Sequence, residues 1–251
     1  MAATATTFIK EYGPGLSAYG LSAYALTRQY FPSADPKITA LTLGSLKFLQ
    51  IGMHVLGHEQ KRSHQEMKYT ALAIETFSLV GWSTLFSQKL PTLFDGVAVR
   101  SIAHIFGAVV CSLTWTFDKT PQPAHTWKYH ASEVGCMGLF SLAALQWGFK
   151  SPNSITTALM ITLISTIRKI VTPCLQSYFD TSQVTDPAKR HSMAQHYHLL
   201  QDCRMLITPL AIHALGQILL KKTPPLSEVL AMQTMGGLAF RWIELIAQKY
   251  C

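Results

Sequence analysis

The chain has 251 residues, of which 49% are hydrophobic and only 14% charged, against about 25% charged in an ordinary soluble protein. Its net charge of +8 comes from basic residues spread over short connections, without the aromatic-interleaved basic run that a nucleic-acid-binding surface needs. Five cysteines (111, 136, 174, 203 and 251) have no CxxC spacing, and Cys111 and Cys136 sit in apolar runs, which argues against a disulfide framework.

Eight helical segments are predicted, at about 12–31, 37–58, 67–89, 96–117, 129–149, 153–172, 194–221 and 226–248. The N-terminal MAATATTFIKEYGPG lacks a basic region followed by a long apolar core, so it does not read as a cleavable signal peptide. The first segment, GPGLSAYGLSAYALT, is rich in small residues suited to close helix packing and could alternatively lie at a membrane interface. Most of the others are apolar nearly all round. Residues 101–117, 134–149 and 151–167 contain no Asp, Glu, Lys or Arg, and about 20 such residues cross a bilayer core.

Prolines mark the turns between alternate segments: Pro32 and Pro36, Pro91, Pro152, and Pro224–Pro225. Each resulting pair begins near a tyrosine (Tyr12, Tyr69, Tyr129, Tyr197). The expectation is a single all-α membrane domain of four degenerate helical hairpins, about 12–58, 67–117, 129–172 and 194–248, giving seven or eight spans. A polar cytoplasmic loop is expected at about 173–195. A soluble helical bundle is the competing reading, since the mean hydropathy of +0.20 is low for a polytopic protein. Lys and Arg are denser between hairpins (Lys61, Arg62, Lys68, Lys119, Lys128, Lys189, Arg190) than within them, which places the termini and longer loops in the cytoplasm.

A basic residue recurs inside the second helix of every hairpin: Lys47, Arg100, Arg168 and Arg241. The first helix of the last three carries an acid near its start: Glu75, Glu133 and Asp202. Charges in apolar surroundings need partners and are functional by default in a membrane span. Lys47 and Arg100 come early in their helices and should lie deepest. With Glu75, Glu133 and His104, which follows Arg100 by four residues, they form the candidate substrate-binding set. Arg168 and Arg241 come later. They read as members of structural ion pairs with Asp202 and with Glu244, three residues after Arg241 on its own helix.

Histidines form a second constellation near the expected cytoplasmic side. His54 and His58 share a helix face, His125 precedes His130 by five residues, and His191, His196 and His198 follow as HxxxxHxH. The spacings HxxxH, HxxxxH and HxxxxHxH resemble, over these short segments, the histidine boxes of membrane di-iron desaturases and hydroxylases. That resemblance implies metal ligation by His54, His58, His130, His196 and His198. The family's HxxHH box has no counterpart here. Neither a Gly-rich phosphate loop nor an HExxH or GxSxG motif occurs. No cofactor is specified, and oligomeric state is not legible.

Three function classes follow. The first is carrier-like handling of a small anionic solute or a lipidic molecule at a polar layer in the inner half of the bundle. The second is a membrane enzyme acting on a lipid or isoprenoid with a carboxylate or histidine–metal site. The third is a structural membrane subunit that uses its charges only to lock helices together.

Overall fold

The computed structural model describes residues 2–30, 34–59, 66, 69–77, 93–114, 127–221 and 223–250. All secondary structure among them is helical. In chain order the helices are α1 (Ala2–Tyr30), α2 (Pro36–Glu59), α3 (69–77), α4 (Leu93–Thr114), α5 (Trp127–Ala143, extended by a π-helical turn Ala144–Gly148), α6 (Ser154–Tyr178), α7 (Pro187–Leu220) and α8 (Leu226–Tyr250).

The helix starts follow from capping chemistry. Asp35 accepts the backbone N–H groups of Lys37 (2.8 Å) and Ile38 (3.2 Å) and opens α2 at Pro36. Asp186 accepts from the backbone N–H of Ala188 (3.0 Å), with Pro187 in the first turn of α7. This Asp-Pro pair corrects the expected loop at 173–195. Thr-Asp-Pro is a helix start, α6 runs through Pro173 to Tyr178, and only residues 179–186 connect the two helices. α5 and α7 each run into their turn through a lysine in the left-handed region, Lys150 (φ 51°) and Lys221 (φ 54°), followed closely by proline.

Packing centres on α4 and α8. α4 lies against α1, α7 and α8, while α8 also meets α5 and α6. α2 packs chiefly on α1, at the periphery. α3 runs antiparallel to α8, with Tyr69 donating to the Leu245 carbonyl (3.1 Å) and the Trp242 indole N–H donating to Thr76 (2.9 Å). The α1–α2 and α5–α6 pairs pack as hairpins, whereas α7 makes little contact with α8. The apolar core falls into three clusters. Tyr19, Ala23, Leu43, Val99 and Ala103 join α1, α2 and α4. Leu145, Ile161, Ile164, Val229 and Met232 join α5, α6 and α8. Leu72, Val97, Ala231 and Leu238 join α3, α4 and α8.

Two of the described helices, Ser154–Tyr178 and Pro187–Leu220, are long and apolar enough to cross a membrane, each with a mean hydropathy of 1.5 over its most apolar stretch. Their polarity is distributed inside out. On α6 the exposed positions from Ile155 to Cys174 are Ile155, Leu159, Leu163, Ile170 and Cys174, while Thr157 and Ser165 are buried. On α7 from Leu200 onward every exposed residue except Gln217 is apolar. Trp127 and Trp147 are also exposed, whereas Trp242 is bonded to Thr76. Trp82 and Trp115 lie outside the described residues, as do Pro32 and Pro91.

At the turn end of α5–α6, the buried carboxylate of Glu228 on α8 accepts from Ser151 (2.9 Å) and Thr157 (2.5 Å), tying the third helical pair to the fourth. At Gly107 the α1 and α4 backbones approach closely. A Cβ there would lie 2.9 Å from the Gly15 carbonyl oxygen and 3.1 Å from the Tyr19 Cβ. Gly107→Ala should therefore push α1 off α4 and lower stability by about 1–3 kcal/mol, read as a fall in the midpoint of thermal unfolding in detergent. An unchanged midpoint would contradict this packing.

Candidate functional site

A cavity of about 230 Å³ opens among α3, α4, α5, α6, α7 and α8. Each of the six helices contributes a charged side chain. They are Glu75 from α3, Arg100 from α4, Glu133 from α5, Arg168 and Lys169 from α6, Arg204 from α7 and Arg241 from α8. Five basic groups thus share the space with two carboxylates.

The carboxylates are both engaged. Lys169 Nζ is in tight contact with Glu133 Oε2. Arg241 Nη1 meets Glu75 Oε2 at 3.1 Å. These pairings correct the expected ones. Arg241 bonds across to α3 rather than to Glu244 on its own helix, and Glu244 instead accepts from Tyr129 (3.2 Å). The reason is register, because antiparallel packing of α3 on α8 brings Glu75 level with Arg241. In the third pair Lys169 takes the glutamate, not Arg168. Asp202 does not line the cavity.

Three guanidinium groups remain without a carboxylate among the described residues. Arg100 is 8% exposed, and neither it nor Arg168 has a hydrogen bond or ion pair from its guanidinium there. Arg204 is held by neutral acceptors. Its Nη1 donates to the Arg168 carbonyl (2.7 Å) and to Thr172 Oγ1, and its Nη2 donates to Gln201 Oε1 (2.5 Å). Its buried Nε has no partner among the described residues. Neutral acceptors orient a guanidinium without cancelling its charge, so the described lining carries a surplus of positive charge.

Neutral polar groups complete the lining. Ser101 on α4 and Thr234 on α8 hydrogen-bond to each other at 2.6 Å. Ser165 contacts the Met137 sulfur at 3.6 Å. Gln233 is buried, and its Oε1 has no hydrogen-bond partner among the described residues. Ile105, Leu230, Leu238 and Phe240 supply apolar wall.

Of the residues singled out by sequence, Arg100, His104, Glu75, Glu133, Arg168 and Arg241 line this cavity. Lys47 does not. It lies on peripheral α2, where its Nζ donates to Gln50 (3.0 Å), though it remains within electrostatic reach of His104. Arg204 was missed, because the neighbouring Asp202 occupied the place in the repeat where an acid was sought. No local spacing marks it, since the exposed Ile207 three residues on lies only about 60° from it around the helix.

Among the described residues the histidines do not assemble. His196 Nδ1 lies 2.7 Å from the Ser192 carbonyl of its own helix. His130 and His198 pack edge-on against Tyr129 and Tyr197. Among the described residues no group of three His, Cys, Asp or Glu is placed to hold a metal. The side chains of His54 and His58, and all of His64 and His125, lie outside the described residues. No protein-family model matches this sequence, and neither a curated protein nor a solved structure shows significant similarity to it.

The two ion pairs differ in burial, and the difference has a measurable consequence. Glu133 and Lys169 are 19% and 22% exposed, whereas Arg241 in the other pair is 61% exposed. Glu133→Gln, which strands Lys169 beside Arg168 and Arg204, should cost about 2 kcal/mol, and Glu75→Gln less than about 1 kcal/mol. Equal losses in chemical denaturation would show that burial does not govern these pairs.

Proposed function

We propose that this is a multi-pass integral membrane protein that binds a small anionic solute, or the anionic part of a lipidic molecule, in the α3–α8 cavity and handles it in carrier-like fashion. The observation that carries this reading is the charge count of the cavity: five basic groups against two carboxylates, with Arg100 and Arg168 left unpaired among the described residues. A bundle that used charge only for helix locking would match cations to anions one for one. A surplus of buried positive charge is stable when an anion completes it.

The membrane part of the proposal draws on the outward polarity of α6 and α7. In water an exposed face of Ile155, Leu159, Leu163 and Ile170 with threonine and serine turned inward is unfavourable, whereas in lipid it is the expected arrangement. Exposed Leu41, Phe48 and Leu49 on α2, and Leu139 on α5, extend the same surface to helices that are less apolar overall. Seven or eight spans with cytoplasmic termini would place the cavity in the inner half of the bilayer, where solute and lipid headgroups are both within reach.

Two outcomes are expected. Carbonate extraction should leave the full-length protein in the membrane pellet, and release to the supernatant would rule out integral insertion. In detergent, Arg100→Gln should weaken binding across a panel of small anions (phosphate, sulfate, succinate) by about ten-fold or more. A charge-assisted hydrogen bond is worth about 1.5–3 kcal/mol, and each 1.4 kcal/mol is a factor of ten. A folded Arg100→Gln variant with undiminished anion binding would place the site elsewhere.

A further inference from the structure

Resting on the proposed anion site, we infer that its ligand is a compact phosphoryl group, either inorganic phosphate or a small phosphomonoester, and not a carboxylate. The two carboxylates that line the cavity among the described residues are matched. Glu133 takes Lys169 and Glu75 takes Arg241. The three cations left over are all guanidiniums and come from three different helices, Arg100 on α4, Arg168 on α6 and Arg204 on α7.

Guanidinium forks bind both carboxylate and phosphate, but the two anions present different shapes. A carboxylate offers two oxygens in one plane and is filled by one or two forks. A phosphoryl group offers three terminal oxygens in a tetrahedral array and accepts forks arriving from several directions. Three arginines carried by separate helices around one cavity suit the second geometry. Charge agrees with shape. Three uncompensated cations are best answered by a dianion, and a phosphomonoester, with its second ionisation near pH 6, carries about two negative charges at neutral pH.

Size and the neutral groups narrow the class further. At about 230 Å³ the cavity is smaller than the roughly 300–1,000 Å³ typical of drug-sized ligands, which disfavours a nucleotide. The buried Oε1 of Gln233 lacks a donor among the described residues. A hydroxyl on the ligand, whether P–OH or the hydroxyl of a short polyol ester, would supply one. Ser101 and Thr234, bonded to each other across α4 and α8, can each turn a lone pair or proton to the same ligand.

The same chemistry can arrive as a free solute or as a lipid headgroup, and the test separates the two. Full-length protein in detergent is titrated calorimetrically with glycerol phosphate and with succinate, which are similar in size and both dianionic at pH 7.5. A parallel arm measures binding to phosphatidylcholine vesicles with and without phosphatidic acid. Glycerol phosphate is expected to bind at least ten-fold tighter than succinate. Arg168→Gln should lower that affinity ten-fold or more, and Arg168→Lys, which keeps the charge without the fork, should lose most of the preference over succinate. Both variants are checked for helicity by circular dichroism. Phosphatidic-acid-dependent vesicle binding without glycerol phosphate binding supports the same recognition with a lipid as its source. Equal affinity for succinate, or succinate binding alone, overturns the phosphoryl assignment and leaves the anion site standing. Binding of none of these anions overturns both.

Discussion

Like charges gathered in a confined space repel, and this structure gathers five basic side chains around about 230 Å³ with two carboxylates among the described residues to answer them. The surrounding architecture can be understood as the means of holding them there. Arg204 is strung between the Arg168 carbonyl, Thr172 and Gln201, all neutral acceptors that fix its plane and leave its charge intact. Lys169 and Arg241, the cations flanking that core, are each given a glutamate from a neighbouring helix. Under the proposed function, the unneutralised centre is the anion site and the neutralised rim is a set of structural ion pairs.

The scaffold meets this demand by bringing six helices to one place and packing them closely elsewhere. α4 and α8 lie at the centre and meet most of the others. α1 can press against α4 because Gly107 leaves room for the Gly15 carbonyl and Tyr19. At the turn end of α5–α6, Glu228 is buried among the hydroxyls of Ser151 and Thr157, so that region too is joined by polar contacts inside an apolar shell. On α6, serine and threonine face inward and leucine or isoleucine outward, the arrangement that the proposed lipid setting favours.

Much of this was legible in the sequence, and the parts that were not have physical reasons. Low charge density and proline spacing marked the helices, and Pro36, Pro152 and Pro225 fell where sequence placed the turns. However, α1 starts at Ala2 instead of about 12, α6 ends at Tyr178 instead of about 172, and α7 starts at Pro187 instead of about 194. Recurrence of a base in alternate helices led to Arg100, Arg168 and Arg241, which line the cavity. Pairing was not legible, because it depends on which helices become neighbours. Glu75 reaches Arg241, a residue 166 positions away, through α3–α8 register that no local spacing records. Lys47 was misjudged for the same reason, since it occupies the equivalent place on a helix that packs chiefly on α1. The loop expected at 173–195 is shorter because α6 continues through Pro173 and because Asp186-Pro187, inside the expected loop, caps the start of α7.

The claim on which the account rests is that Arg100, Arg168 and Arg204 surround a bound anion. The most direct measurement is an experimental structure of the full-length protein with selenate, an anomalously scattering tetrahedral oxyanion, examined at the selenium edge. An anomalous peak is expected in the cavity within hydrogen-bonding distance of at least two of these three guanidiniums, with Glu133 still on Lys169. A cavity without such a peak, with Arg100 and Arg168 instead closed onto Glu75 and Glu133, would contradict it.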